Sequence, residues 1–237
     1  MNPKILGLPA LLLGLVACES VDSTTVTTAG LYANITATAD GSGSTRTTAI
    51  LKVGGATSNT YVDLIEPDSL EATQGEETQT MSKVSVGDYR EYVADFEVDA
   101  VDTEFAIAFL REVDEGAPNS VVQLPAPFEL TEPSADTPFS RDEDDIVVSW
   151  DVIDDSPMRA DITGDCFFAD GIDVDVDDGT ARFSAASLES YEDMADETCD
   201  AVITVWRTRA GDVDPNYGEG GAVSGVQVRS VTVVSGP

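Results

Sequence analysis

Leu31-Tyr-Ala-Asn-Ile-Thr-Ala-Thr-Ala39 alternates without a break. Leu31, Ala33, Ile35 and Ala37 fall to one side, and Tyr32, Asn34, Thr36 and Thr38 to the other. That is the two-residue repeat of a half-buried strand, not the 3.6-residue repeat of a helix. Asp40-Gly-Ser-Gly43 supplies turn residues, and Thr47-Thr-Ala-Ile-Leu-Lys-Val53 returns, so the stretch reads as a β-hairpin closed by Gly54-Gly55. Working outward, Thr60–Leu64, Thr78–Val84, Tyr89–Val98, Thr103–Arg111 and Ser120–Leu124 follow at strand length, with Phe105, Ile107 and Phe109 sharing a face. Pro125-Ala-Pro127 interrupts the series. Ile146–Trp150, Met158–Ile162, Thr180–Ser184, Ala201–Arg207 and Gly225–Val234 then form a second set, and Leu188–Asp196 is either a short helix or a loop. Trp150 and Trp206 both alternate into strands and are expected to be buried. The expected class is all-β, with two tandem β-sandwiches of roughly 100 residues each, 29–124 and 125–237. A single larger sandwich is the competing architecture.

The run Leu124-Pro-Ala-Pro-Phe-Glu-Leu-Thr-Glu-Pro133, then Ser140-Arg141, then Val147-Val-Ser-Trp150, resembles the opening of a fibronectin type III or immunoglobulin-like module. The resemblance implies a Pro-flanked first strand and a second strand ending in a core Trp. It bears on fold, which does not dictate function.

The amino terminus is of another kind. Lys4 precedes the apolar run Ile5–Gly14, and Leu15-Val-Ala-Cys18 follows. The order and spacing resemble the lipobox signal of bacterial lipoproteins. The resemblance implies that 1–17 is a signal peptide, that cleavage falls before Cys18, and that Cys18 carries lipid on its thiol and its new amino group. The apolar run is shorter than the ~20 residues a membrane span needs, and Pro9 breaks it. Two or more acyl chains give lasting attachment where one does not. Residues 18–28, rich in Ser and Thr, read as a lipidated tether reaching roughly 15–20 Å. The second residue is Glu19, not Asp, which in a double-membraned bacterium implies the outer membrane. The whole chain is similar in style to bacterial lipoproteins with tandem sandwich modules. The expected partners are the bilayer, through acylated Cys18, and an envelope protein.

The chain carries 12 basic and 45 acidic residues and no histidine, a formal net charge of −33. Such a field repels nucleic acid and anionic headgroups, so nucleic acid is excluded as a partner, and it suits a saline medium that screens self-repulsion. Without histidine, Ser-His-Asp and Cys-His catalysis and histidine zinc sites are ruled out. There is no nucleophile elbow, P-loop or dinucleotide fingerprint. Carboxylate chemistry of the glycosidase kind remains, but 45 acids single out no pair, so no catalytic residue is assigned and no enzyme is expected.

With Cys18 lipidated, Cys166 and Cys199 remain, and an even pair in an exported chain reads as a disulfide. The densest acidic run contains Asp170, Asp173, Asp175, Asp177 and Asp178. Asp173, Asp175 and Asp177 match positions 1, 3 and 5 of a calcium loop, but Asp178 stands where Gly belongs and Ser184 where Glu belongs. Ile172, Val174 and Val176 alternate with the acids, which suits a strand with one acidic face whose carboxylates sit ~6.5–7 Å apart. Arg141-Asp-Glu-Asp-Asp145 reads as a charged loop. The expectation is a non-enzymatic, lipid-anchored envelope protein with a binding, adhesion or structural role and no cofactor. The alternative is a calcium- or carbohydrate-binding surface module.

Overall fold

The computed structural model describes residues 19–185 and 187–237. The signal segment 1–17 and Cys18 lie outside the described residues. The described chain is all-β, with two short 3₁₀ turns near its start, and it builds two tandem β-sandwiches. No helix among the described residues is long and apolar enough to cross a membrane.

The first sandwich uses β1 (Glu19–Asp22), β2 (Leu31–Ala39), β3 (Thr45–Val53), β4 (Thr60–Asp63), β5 (Ser69–Gln74), β6 (Glu77–Thr80), β7 (Ser82–Val86), β8 (Tyr89–Phe96), β9 (Glu104–Leu110) and β10 (Ala117–Gln123). The opening hairpin is β2–β3, in register from Leu31 opposite Val53 to Ala39 opposite Thr45. Every odd position from Leu31 to Ala39 is buried. They face the sheet β10-β9-β5-β6, whose Phe105, Ile107 and Phe109 on β9 share the same core. Thr78–Val84, expected as one strand, is two. Met81 drops into the core at 5% exposure and donates its amide to the Leu70 carbonyl at 2.8 Å, so β6 stays in one sheet and β7 crosses to the other.

The second sandwich uses β11 (Leu130–Glu132), β12 (Pro138–Ser140), β13 (Ile146–Trp150), β14 (Met158–Gly164), β15 (Phe167–Val174), β16 (Thr180–Phe183), β17 (Cys199–Ala210) and β18 (Gly221–Gly236). The small sheet β11-β13-β16 covers β18-β17-β14-β15 across Phe128, Val148, Trp150, Ile162, Phe167, Ile203 and Val205. Leu188–Asp196 is a loop that buries Leu188. Trp206 departs from expectation. It is in phase with Thr204 on the outer face and only half-buried, while the inward positions hold Ile203, Val205 and Arg207.

The chain does not pass once from one core to the other. Leu124 packs in the first core and Phe128 in the second, and Ala126 between them is buried. Late in the chain, Tyr217 and Val223 return to the first core. The 16-residue β18 explains this. Its first part, Gly221–Gln227, runs parallel to β2, and its last residues, Val234–Gly236, run parallel to β12. β17 accompanies it antiparallel from Ala210 opposite Ser224 to Cys199 opposite Ser235. At ~3.3 Å per residue, β18 is about 50 Å of strand serving both sandwiches.

At the crossing a Cβ on Gly225 would run into the Gln123 carbonyl. Gly225→Val is therefore expected to cost about 1–3 kcal/mol through overpacking. A thermal melt equal to that of the wild type would contradict this.

Candidate functional site

Residues 19–28, expected as a free tether, are docked on the first sandwich. β1 pairs parallel with β4, from Glu19 opposite Thr60 to Asp22 opposite Asp63. Ser23 is fully buried and Thr28 nearly so. The Ser23 hydroxyl accepts the Ile65 amide at 3.1 Å. Arg111, whose side chain is 3% exposed, pairs with Asp68 at 3.1 Å and Asp114 at 3.0 Å. It also donates to the Ser23 carbonyl at 2.7 Å and to the Thr28 hydroxyl at 3.1 Å. The Thr28 amide, donating at 2.6 Å, is the largest of the contacts that hold the Asp114 carboxyl below its usual range. The composition that suggested a loose segment therefore supplies one hydroxyl and one carbonyl to a buried guanidinium, since a buried arginine must fill its fork of donors. Arg111→Lys keeps the charge beside Asp68 and loses the fork. The expected result is about 1–2 kcal/mol of lost stability and faster amide exchange over 19–28, read by hydrogen-exchange mass spectrometry. Unchanged exchange there would refute the clamp.

The other end of β1 meets the β7–β8 turn. Arg90 donates to the Gly87 carbonyl at 2.5 Å and to the Ser20 hydroxyl at 3.3 Å. Arg90 and Lys83 both pair with Asp63, at 3.2 and 2.8 Å. Burial alone would raise the Asp63 carboxyl, but these two cations outweigh it and hold it low. Tyr61, opposite Ser20, packs edge-on against Tyr89 with ring centroids 5.2 Å apart, and Lys52 lies over the Tyr61 ring at 5.7 Å. Burial and the neighbouring Glu91 push Tyr89 up to about 12, and burial takes Tyr92 to about 12 as well.

These shifts set a pH profile. A carboxyl lowered from 3.8 stabilises the fold above that pH, and the gain is lost as pH falls through its folded value. A tyrosine raised from 10.0 to about 12 stabilises the fold below pH 10, and the gain is lost as pH rises toward 12. With no histidine to titrate between, melting temperature is expected to be level from about pH 5 to about pH 9 and to fall on both sides. A step near pH 6.5 would contradict this.

The five aspartates proposed as calcium ligands do not converge. Asp170 and Asp173, three apart on β15, point to opposite faces. Asp170 accepts the Gly171 amide at 2.8 Å, and Asp173 pairs with Arg159 at 2.7 Å. Asp175 is exposed in the following loop. Asp177 turns inward, accepting the Trp150 indole N–H at 2.7 Å and pairing with Arg207 at 2.6 Å. Asp178 accepts the Thr180 amide at 3.2 Å. Among the described residues no group of three or more His, Cys, Asp or Glu is disposed to hold a metal ion. Calcium is accordingly expected to shift the melting temperature no more than sodium at equal ionic strength, and an extra shift would restore a calcium site.

Cys166 and Cys199 form a disulfide, joining the β14–β15 turn to the start of β17. Arg141, 1% exposed, donates to Cys166 Sγ at 3.1 Å and to the Ser235 hydroxyl at 3.0 Å. It also caps the carbonyls of Met194, Ala195 and Glu197. The charged-loop reading of 141–145 thus missed its first residue, which organises the loop before β17. The one signal in the sequence was an arginine beside Phe139 and ahead of an apolar strand.

A cleft of about 560 Å³ opens beside β12 and β13, lined by Glu132, Pro133, Phe139, Asp144, Asp145 and Ile146 among others. Asp144 accepts the Ser140 amide at 2.7 Å. Asp145 accepts the Ala185 amide and pairs with Arg182 at 2.6 Å, which hold its carboxyl below the usual range. A general acid needs the opposite shift.

No protein-family model matches the chain, and no curated protein matches it. Among solved structures it is similar to CBD12 from CALX1.2, at 9% identity over 85% of this chain and 98% of that one, with a TM-score of 0.23. It is also similar to an I-band fragment of titin, at 10% identity over 86% of this chain and 66% of that one, again with a TM-score of 0.23. Likeness at this level says nothing about function.

Proposed function

We propose that the chain is a lipid-anchored protein of the bacterial cell envelope with a binding or structural role, in the outer membrane where the cell has one, and not an enzyme. The observation that carries the reading is Leu15-Val-Ala-Cys18 set directly ahead of Glu19, the first residue of β1. Cleavage before Cys18 would release the apolar run and leave the lipid-bearing residue one peptide bond from Glu19, where β1 begins. The Cys166–Cys199 bridge suits an oxidising compartment outside the cytoplasm. The net charge of −33 argues against nucleic acid, and an envelope protein is the partner proposed beside the bilayer.

Mass spectrometry of protein purified from the membrane fraction tests the reading. The expected amino terminus is Cys18 with added acyl mass, and Cys18→Ala should accumulate as an unprocessed chain. An unmodified, longer amino terminus, or wild-type protein in the cytosol, would overturn it.

A further inference from the structure

We infer that the face formed by the β1–β4 edge and the β7–β8 turn lies in the headgroup layer of the bilayer, with Val84 and Val86 dipping into it. The inference rests on the lipid-anchor reading and adds an orientation to it. Glu19, bonded directly to Cys18 in the sequence, is already paired with Thr60. Consecutive Cα atoms are about 3.8 Å apart, and the headgroup layer of each leaflet is about 5–8 Å deep. Acyl chains leaving Cys18 therefore bring whatever surrounds Ser20 into that layer.

What surrounds Ser20 suits it. One guanidinium, that of Arg90, ties Ser20 to Gly87, so the turn stands beside the start of β1. All five residues of β7 are exposed, and two of them are Val84 at 45% and Val86 at 76%. Tyr61 and Tyr89 form an edge-on pair next to them, and such amphipathic rings favour the membrane–water boundary. Lys52 lies over the Tyr61 ring and Lys83 pairs with Asp63 of the same edge; they are the only lysines after Lys4 in a chain of net charge −33. Lysine stems can lie along apolar surface while the ammonium stays wet.

The face is not cationic. Lys83 and Arg90 are engaged by Asp63, and Asp22, Asp88 and Glu91 lie nearby. The bilayer it fits is therefore one of zwitterionic headgroups, met through valine and tyrosine contacts rather than through attraction to anionic lipid.

The full acylated protein is placed in phosphatidylcholine vesicles with a nitrobenzoxadiazole label on Val86→Cys or, separately, Val84→Cys. Val176→Cys, at a site 69% exposed on the second sandwich, is the control. Labels at 86 and 84 are expected to emit further to the blue than in detergent-free water and to lose most of their emission to a lipid-borne quencher, while the label at 176 is quenched only from water. With Cys18 acylated by mass in the same sample, labels at 86 and 84 that behave like that at 176 overturn the orientation and leave the anchor standing. Labels shielded from water yet untouched by the lipid quencher would mean that protein covers the face, which also overturns it. An unacylated Cys18 removes the anchor and the orientation together.

Discussion

Arg207→Met is expected to lower stability by about 3–5 kcal/mol, the usual cost of leaving a buried charge without its partner. The Arg207 and Asp177 side chains are both fully buried and meet at 2.6 Å. Asp177 also holds the Trp150 indole at 2.7 Å and the Gly179 amide at 3.1 Å. Arg207 in turn donates to the Ala126 carbonyl at 3.0 Å and the Asp151 carbonyl at 3.2 Å, and lies over the Phe128 ring at 5.1 Å. Methionine fills much of the space but strands the Asp177 carboxylate and releases the linker carbonyl. At about 2–4 °C per kcal/mol for a chain of this size, the melting temperature should fall by on the order of 10 °C. The double variant Arg207→Met with Asp177→Leu should recover most of the loss, because two apolar residues leave no stranded charge. A single variant that melts within about 2 °C of wild type would show that the pair adds nothing. Because Arg207 grips Ala126, the single variant should also be nicked faster by protease between Pro125 and Phe128.

Removing the disulfide is the second large effect. Cys166 and Cys199 are 33 residues apart, and closing such a loop restrains the unfolded chain by about 3.7 kcal/mol in the loop-entropy account. Cys199→Ser with Cys166→Ala loses that restraint and one of the acceptors of Arg141. Loosening should concentrate in the loop ahead of β17, whose carbonyls Arg141 caps. Melting with and without reductant under denaturing preincubation reads the effect, and identical curves would disprove it.

The strands with local signals were legible. Leu31–Ala39 and Ile146–Trp150 alternate cleanly, and the structure places both strands at those bounds. β5 escaped because Leu70 and Ala72 are its only buried apolar residues and Glu71 sits between them. Partners were less legible than strands. Nothing around Leu31–Ala39 announces that its second neighbour is β18, at the far end of the chain, because pairing is decided by the closure of the whole core. The polar stretch after Cys18 misled because serine and threonine serve a loose segment and a hydrogen-bonded one equally well, and only the buried Arg111 decides between them. Spacing along the acidic run does not fix where its carboxylates point, because the strand ends at Val174 and the fold sends Asp177 inward and Asp173 outward. Arg207 is in phase with Ile203 and Val205, so a charge stood on the inward side of a strand and required a buried acid opposite it.

β18 runs unbroken from the first core to the last pairing of the second, and the linker beside it is packed in place. A pull on the carboxyl end would therefore meet no joint. It would load the parallel rows of hydrogen bonds along β2 and β12 in shear through a single length of backbone. Because one strand pairs in both sandwiches, tilting either of them must draw on the other.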